Sequence, residues 1–309
     1  MSETKQLPFG NGSHGEIVCW SISDNGNVSY SRIVDALKNN GLNEKLAREL
    51  CHHFAFLRGA KKLQENRIIR ELRADKTTIV FQFTSEQLEG DAFRYDLEAL
   101  LSLDKATGKV SCSIPELEQK AQELLNDASS NRTAADISRL IQGLFAGQAD
   151  LFPIRKQGGA YFVPVHQIDF VDRIESFLKG IGGELTRFVL KTGTANGDKS
   201  VKRAVQDGIA AMIDDHLKSI DKLGTSSRES TLEKEVQNIQ TTKIKIEGYS
   251  LYLDAAKSEL EDAIKDASEK LRQKIASLAA DKESSKADKS GWTGLPTADE
   301  IESARLAVA

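Results

Sequence analysis

Apolar residues recur at every seventh position through Leu232, Ile239, Ile246, Leu253, Leu260 and Ala267, the spacing that keeps one seam on one side of a slightly supercoiled helix. The pattern predicts a single helix over 230–282, opened by the Ser-x-x-Glu capping box of Ser230 and Glu233. At ~1.5 Å per residue it spans on the order of 80 Å. A shorter helix over 198–223 precedes it, with Val201, Val205, Met212 and Ile220 inward and Gly224 as its stop. So short a link makes the two antiparallel, and together they form a coiled-coil-like arm over 198–282. The shorter helix covers about half of the longer one. Ile264, Leu271 and Leu278 supply further seam positions in the uncovered part, and Gly248 is where the helix would kink. The candidate oligomer seam is therefore Leu232, Ile239, Ile246, Leu253, Leu260, Ile264 and Leu271.

Upstream, the apolar period changes several times. A loose tail over 1–15 leads into a strand over 16–23 and an Asp-Asn-Gly-Asn turn at 24–27. Ser31 can cap a helix carrying Ile33, Val34 and Leu37, and Asn43 a second one with Leu46, Ala47, Leu50, Phe54 and Leu57 on its apolar face. A third helix over 61–74 buries Leu63, Ile68, Ile69 and Leu72. The period then falls to two in TTIVFQFT at 77–84, a strand, with partners over 93–103 and 109–113. Pro115 suits the first turn of a helix running to about residue 126, which closes a first α+β unit over 16–126.

After a linker at 127–131, Thr133 and Asp136 precede a helix with Ile137, Leu140, Ile141 and Leu144 on one face. Next come two short strands around Gly158-Gly159, a composition that permits positive φ in a tight turn. A helix over 165–181, stopped by Gly182-Gly183, and a strand over 184–190 complete a second unit over 132–192. The fold class expected is α+β: small, mainly antiparallel sheets with flanking helices, plus the C-terminal helical hairpin. A polar tail over 283–309 follows, in which Trp292 and Leu295 are the residues placed to dock.

Composition narrows the function classes. Over 309 residues, 28% are charged, the formal net charge is -4, and the pI is near 5.9, a balance that argues against a wholesale nucleic-acid coat. No apolar run approaches the ~18 to 20 residues of a membrane span, and the polar start lacks the apolar core of a signal peptide, so a cytoplasmic location is expected. Cys19, Cys51 and Cys112 fit neither a disulfide framework nor a zinc site and read as reduced thiols.

Candidate chemistry is sparse. Cys51, His52 and His53 are consecutive, so on a helix they point in different directions and cannot share a metal. No phosphate-binding glycine loop, metalloprotease or nucleophile-elbow motif occurs, so no catalytic, cofactor or metal residues are assigned. Between 58 and 76, Lys62, Arg67, Arg70 and Arg73 form a candidate nucleic-acid contact, because three-residue spacing on a helix arrays guanidiniums near one face. A solvated helix face laced by pairs such as Glu71 with Arg67 is the plainer alternative. Arg155, Lys156, Gly158, Gly159 and Tyr161 form a candidate recognition hairpin, where a glycine turn lets a partner approach the backbone. The plainer alternative is a scaffold hairpin.

Several stretches resemble an uncharacterised family of bacterial, phage and mobile-element proteins: GEIVCWSISDNGNVSYSRIVDAL, AFLRGAKKLQENRIIREL, the helix beginning TAADI, and R-x-x-GG-x-YFVP at 155–164. Gly59 stands where alanine is common in that family. The resemblance implies a shared fold and a role in phage and host biology, and no reaction. The reading is a non-catalytic assembly or adaptor protein whose arm mediates self-association or docking to a protein partner, without a cofactor, within an antiphage defence or phage-encoded system. A DNA- or RNA-binding regulator using the basic helix 58–76 is the alternative, and an enzyme with an unrecognised site is the third.

Overall fold

The computed structural model describes residues 12–22, 27–63, 67–89, 92–155 and 157–290. The expected tail as far as residue 11, positions 24–26 of the first turn, Lys156, and the final tail with Trp292 and Leu295 lie outside them. In chain order the elements are β1 (Ser13–Ile22), β2 (Val28–Ser29), α1 (Tyr30–Asn39), α2 (His52–Lys62), β3 (Arg67–Ala74), β4 (Thr78–Glu89), β5 (Ala92–Asp104) and β6 (Val110–Cys112). Then follow α3 (Pro115–Ser130), β7 (Asn131–Arg132), α4 (Ala134–Gln148), β8 (Phe152–Pro153), β9 (Tyr161–Pro164), α5 (Ile168–Ile181) and β10 (Gly183–Lys191). Four helices end the described chain: α6 (Ala195–Asp221), α7 (Glu229–Gly248), α8 (Ser250–Leu253) and α9 (Ala256–Ser290). The class is α+β, with small antiparallel sheets and C-terminal helices. The described chain divides into a sheet unit, Gly15–Leu151 with Gln157–Leu190, and a bundle unit that takes in His14, the stretch 152–155 and residues 191–290.

The sheet unit holds two apolar cores. In the first, Val18 of β1, Ile33 and Leu37 of α1, Ile137, Ile141 and Phe145 of α4, Val163 of β9, and Val171, Ile174 and Phe177 of α5 pack together. Thus β1 and α1 share their interior with elements about 100 or more positions away, rather than with strands β3 to β6. β10, β1 and β9 lie side by side, with β1 antiparallel to β9 and Gly15 opposite Pro164. Gly15 sits at φ 143°, and a Cβ there would lie 2.1 Å from the Val163 carbonyl oxygen. Local chemistry sets the helix ends. Thr133 and Asp136 form a full capping box on α4, Gly182 closes α5 in the left-handed region, and α1 is capped by Ser29 rather than Ser31.

The second core lies between the inner face of β3-β4-β5-β6, an antiparallel sheet in that order, and helices α2 and α3. Ile79, Phe81 and Phe83 of β4 and Ala99, Leu101 and Leu103 of β5 point inward onto Phe56, Leu63, Leu117 and Leu125. Gly59 lies where a Cβ would come within 3.2 Å of Leu124, so the glycine lets α2 approach α3 closely.

Two expected elements differ here. The helix capped by Asn43 is only a single 3-10 turn over Glu44–Leu46, and α2 begins at His52 with Ala55 and Phe56 buried and Phe54 exposed. The expected helix over 61–74 is strand β3 from Arg67 onward. A β4-β5 pair of twelve and thirteen residues offers a long edge, and pairing that edge satisfies more backbone than a further helix would. Asp75 closes the β3-β4 turn by accepting from the backbone N–H groups of Thr77 and Thr78.

In the bundle unit α6 and α7 run antiparallel, as the short link requires, but the long helix is broken. α7 ends at Gly248, Tyr249, Tyr252 and Leu253 turn inward, and Asp254 at φ 43° reverses the chain into α9. α9 then returns along both α6 and α7. The Ser230–Glu233 capping box is absent, since the N-cap of α7 is Arg228 without a side-chain cap. Phe152 of β8 is seated against Gly208 of α6 and edge-on to the Tyr249 ring, 5.1 Å between centroids.

Candidate functional site

The seam residues are brought together, but by the chain itself. Ile239, Ile246, Leu253, Leu260, Ile264 and Leu271 are all buried in the three-helix bundle, and Leu232 is half-buried near its end. Lys270 pairs with Asp221 at 2.8 Å, and Lys243 donates to Ser268 Oγ at 3.4 Å, which fixes α9 against both partners. An 80 Å arm with a free seam is therefore corrected to a folded-back bundle. The physical cause is that a protruding helix leaves its apolar stripe in water, whereas reversal at 249–255 buries it.

Within the bundle a polar layer interrupts the apolar seam. His216 of α6 is hydrogen-bonded through Nδ1 to Glu235 Oε1 and through Nε2 to Thr242 Oγ1, both at 2.9 Å. A hydroxyl, an imidazole and a carboxylate in line have the outline of a nucleophile, base and orienting acid. Thr242 is only 3% exposed, however, and Glu235 is buried as well, so no substrate reaches the hydroxyl. The layer instead sets which turn of α6 faces which turn of α7, because any slip leaves buried polar groups without partners.

The outer face of α7 is what the seven-residue pattern missed. Val236 is 48% exposed and Ile244 66%, two turns apart on the same side, with exposed Gln240 between them. Leu251 of α8 is exposed by half. The signal was legible as a second set of apolar positions alongside the seam.

The basic segment does not form a helical array. Lys62 ends α2 and pairs with Asp127 at 3.2 Å, Arg67 opens β3 opposite Ser85, and Arg73 pairs with Asp75 at 2.9 Å. A bulge between Glu71 and Arg73 leaves Arg70 opposite Gln82 and Arg73 opposite Val80. Both arginines are exposed, on the outer face that also carries exposed Leu97 and Leu100.

At the hairpin, Gly158 and Gly159 both adopt positive φ, 75° and 86°, as the turn composition requires. A Cβ at Gly158 would sit 2.7 Å from the Tyr161 hydroxyl. Tyr161 is stacked on Trp20 with centroids 4.9 Å apart, and its hydroxyl accepts from Gln142 at 3.0 Å. Phe162 and Val163 are core. The glycines thus have conformational reasons of their own and the tyrosine a packing one; Arg155 is exposed.

A network that the sequence did not single out joins α2, α3 and α4. Arg58 grips Asp136 with two parallel bonds of 2.7 and 3.0 Å, while Thr133 donates to the same carboxylate. Burial alone would raise the Asp136 carboxyl, but these donors outweigh it and hold it below its ordinary value of 3.8. Arg132, buried beside it, donates to the carbonyls of Ser129, Asn131 and Arg48, and its guanidinium lies 4.8 Å from the Tyr30 ring centre. Among the described residues no three His, Cys, Asp or Glu side chains are grouped to hold a metal, and no helix is long and apolar enough to cross a membrane. Cys19, Cys51 and Cys112 are free.

The chain belongs to a family of unknown function (DUF6744), whose profile matches residues 14–284 and so takes in parts of both units. No curated protein and no solved structure matches it.

Proposed function

We propose that this protein is a non-catalytic assembly component that associates with a second copy of itself through the outer face of α7. The observation that carries this is the exposed pair Val236 and Ile244, four residues either side of Gln240. A two-fold axis at Gln240 with the helices antiparallel lays Val236 of one copy on Ile244 of the other, twice over. That self-complementarity is what an isologous contact needs. Because the heptad seam is filled by the chain's own helices, the association proposed uses the opposite, exposed side of α7. One helix-on-helix contact covers less than the ~1,200–2,000 Å² of stable complexes, so the dimer is a weak one.

Sedimentation velocity on the full chain over a micromolar concentration series tests this, with Val236→Glu/Ile244→Glu as the comparison. The wild type is expected to shift toward dimer with concentration, and the double variant to stay monomeric with an unchanged helical circular-dichroism spectrum. A wild type that remains monomeric throughout removes the proposal.

A further inference from the structure

Above the Arg132 network, α1, the connector over 46–50 and the first turns of α4 line an open-mouthed cavity of about 240 Å³ within the sheet unit. Its apolar wall is Ile33, Leu46, Leu50 and Leu140, and its polar groups include Arg48, Arg132 and Arg139. The connector is irregular chain, yet it is clamped at two points: the Tyr30 hydroxyl donates to the Ala47 carbonyl at 2.9 Å, and Arg132 to that of Arg48 at 3.3 Å. The cavity is thus pre-formed.

Its charge is one-sided. Asp136 is the acidic residue in the lining, and Arg58, Thr133 and, at 3.5 Å, Arg139 already share its two oxygens, so one carboxylate faces several cations. Arg132 is hydrogen-bonded by neutral carbonyls, and burial together with the neighbouring Arg58 outweighs the attraction of Asp136, Tyr30 and Glu49 to push its pKa down. Another positive group would be disfavoured here and an anion favoured. Arg48 and Arg139, both exposed, stand at the rim with guanidinium forks suited to a planar carboxylate.

Gly143 supplies an independent sign. It lies in the interior of α4, where glycine weakens a helix, and it lines the cavity. A Cβ there would meet nothing within 4 Å, so neither close packing nor a left-handed φ calls for glycine. What its absent side chain does is leave the cavity open.

We propose that this cavity binds a small organic acid, its apolar body laid on Ile33, Leu46, Leu50 and Leu140 and its carboxylate held by Arg48 and Arg139. The volume is below that of sites for drug-sized ligands, which limits the acid to on the order of ten non-hydrogen atoms. A single carboxylate fits better than a dianion, because most of the wall is apolar and each further charge must be desolvated.

Calorimetric titration of the full chain with octanoate, against octanamide as the neutral control, reads the site directly. Octanoate is expected to bind one saturable site, with octanamide weaker by about tenfold or more. Arg48→Gln/Arg139→Gln should bring octanoate to the level of the amide without moving the melting temperature, since both side chains are exposed. Gly143→Leu should abolish binding while the helix improves in propensity, which keeps the test decisive if the arginine variant folds poorly. Equal affinity for acid and amide, no saturation by octanoate at millimolar concentration, or full binding by the Gly143→Leu protein overturns the proposal. None of these outcomes depends on whether α7 dimerises.

Discussion

At the scale of single residues, Gly15 carries the most exacting requirement in the sheet unit. Its φ of 143° lies outside what L-residues adopt readily, and its missing Cβ is replaced in space by the Val163 carbonyl. Gly15→Ala must therefore part β1 from β9 at the register point Gly15–Pro164. We expect a loss on the order of 3 kcal/mol, combining backbone strain with overpacking, measured by urea unfolding. A cost under about 0.5 kcal/mol would mean that the strand shifts to accept the methyl group. The glycines at 158 and 159 are called for by their positive φ, and at Gly158 also by the nearby Tyr161 hydroxyl, which gives the turn before the aromatic motif a structural explanation.

At the scale of elements, the polar layer between α6 and α7 separates register from bulk burial. Thr242→Val keeps shape and adds apolar surface, yet it leaves His216 Nε2 buried without its partner at 2.9 Å. Thr242→Ser keeps the hydroxyl and loses a methyl group. If hydrogen bonding sets the register, valine should cost about 1–2 kcal/mol in chemical denaturation and more than serine does. The opposite order would show that α6 and α7 are aligned by packing alone. β3 makes a related point, since its residues suit a helix by spacing and became a strand because β4 offered an edge.

For the molecule as a whole, the Arg58–Asp136 grip joins the two cores of the sheet unit, because Arg58 lies on α2 and Asp136 on α4. The folded carboxyl titrates below its ordinary value of 3.8. Its contribution is accordingly present above that value and is lost as the pH falls through the depressed folded value. Asp136→Asn should cost about 1–3 kcal/mol at neutral pH. The gap between wild type and variant should narrow as the pH falls below 3.8 and through the depressed folded value. A gap that stays constant with acidification would assign the loss to packing rather than charge. In the bundle unit the reversal at Asp254 turns what reads as an arm into a closed three-helix body with its heptad seam inside.

The amino-acid sequence by itself determined the burial of the seam and of several helix faces and where some elements end, though Phe54 and Leu72, expected on apolar faces, are exposed. The capping box at Thr133 and Asp136, the left-handed stop at Gly182, the alternation in β4 and the buried seam of Ile239, Ile246, Leu253 and Leu260 follow from local stereochemistry and period alone. Period does not say what covers a buried position. One 53-residue helix facing another molecule and two helices folded on each other bury the same heptad residues, and only the inward turn of Tyr249, Tyr252 and Leu253 distinguishes them. Likewise the Ile68–Leu72 stretch carries apolar residues at a spacing that serves helix or strand, and the long open edge of β4 decided between the two. The cavity was invisible for the same reason. Tyr30, Arg48, Arg132 and Gly143 are separated by up to 113 positions in the chain, and their proximity arises from α1 packing with α4, a long-range contact that no local pattern encodes.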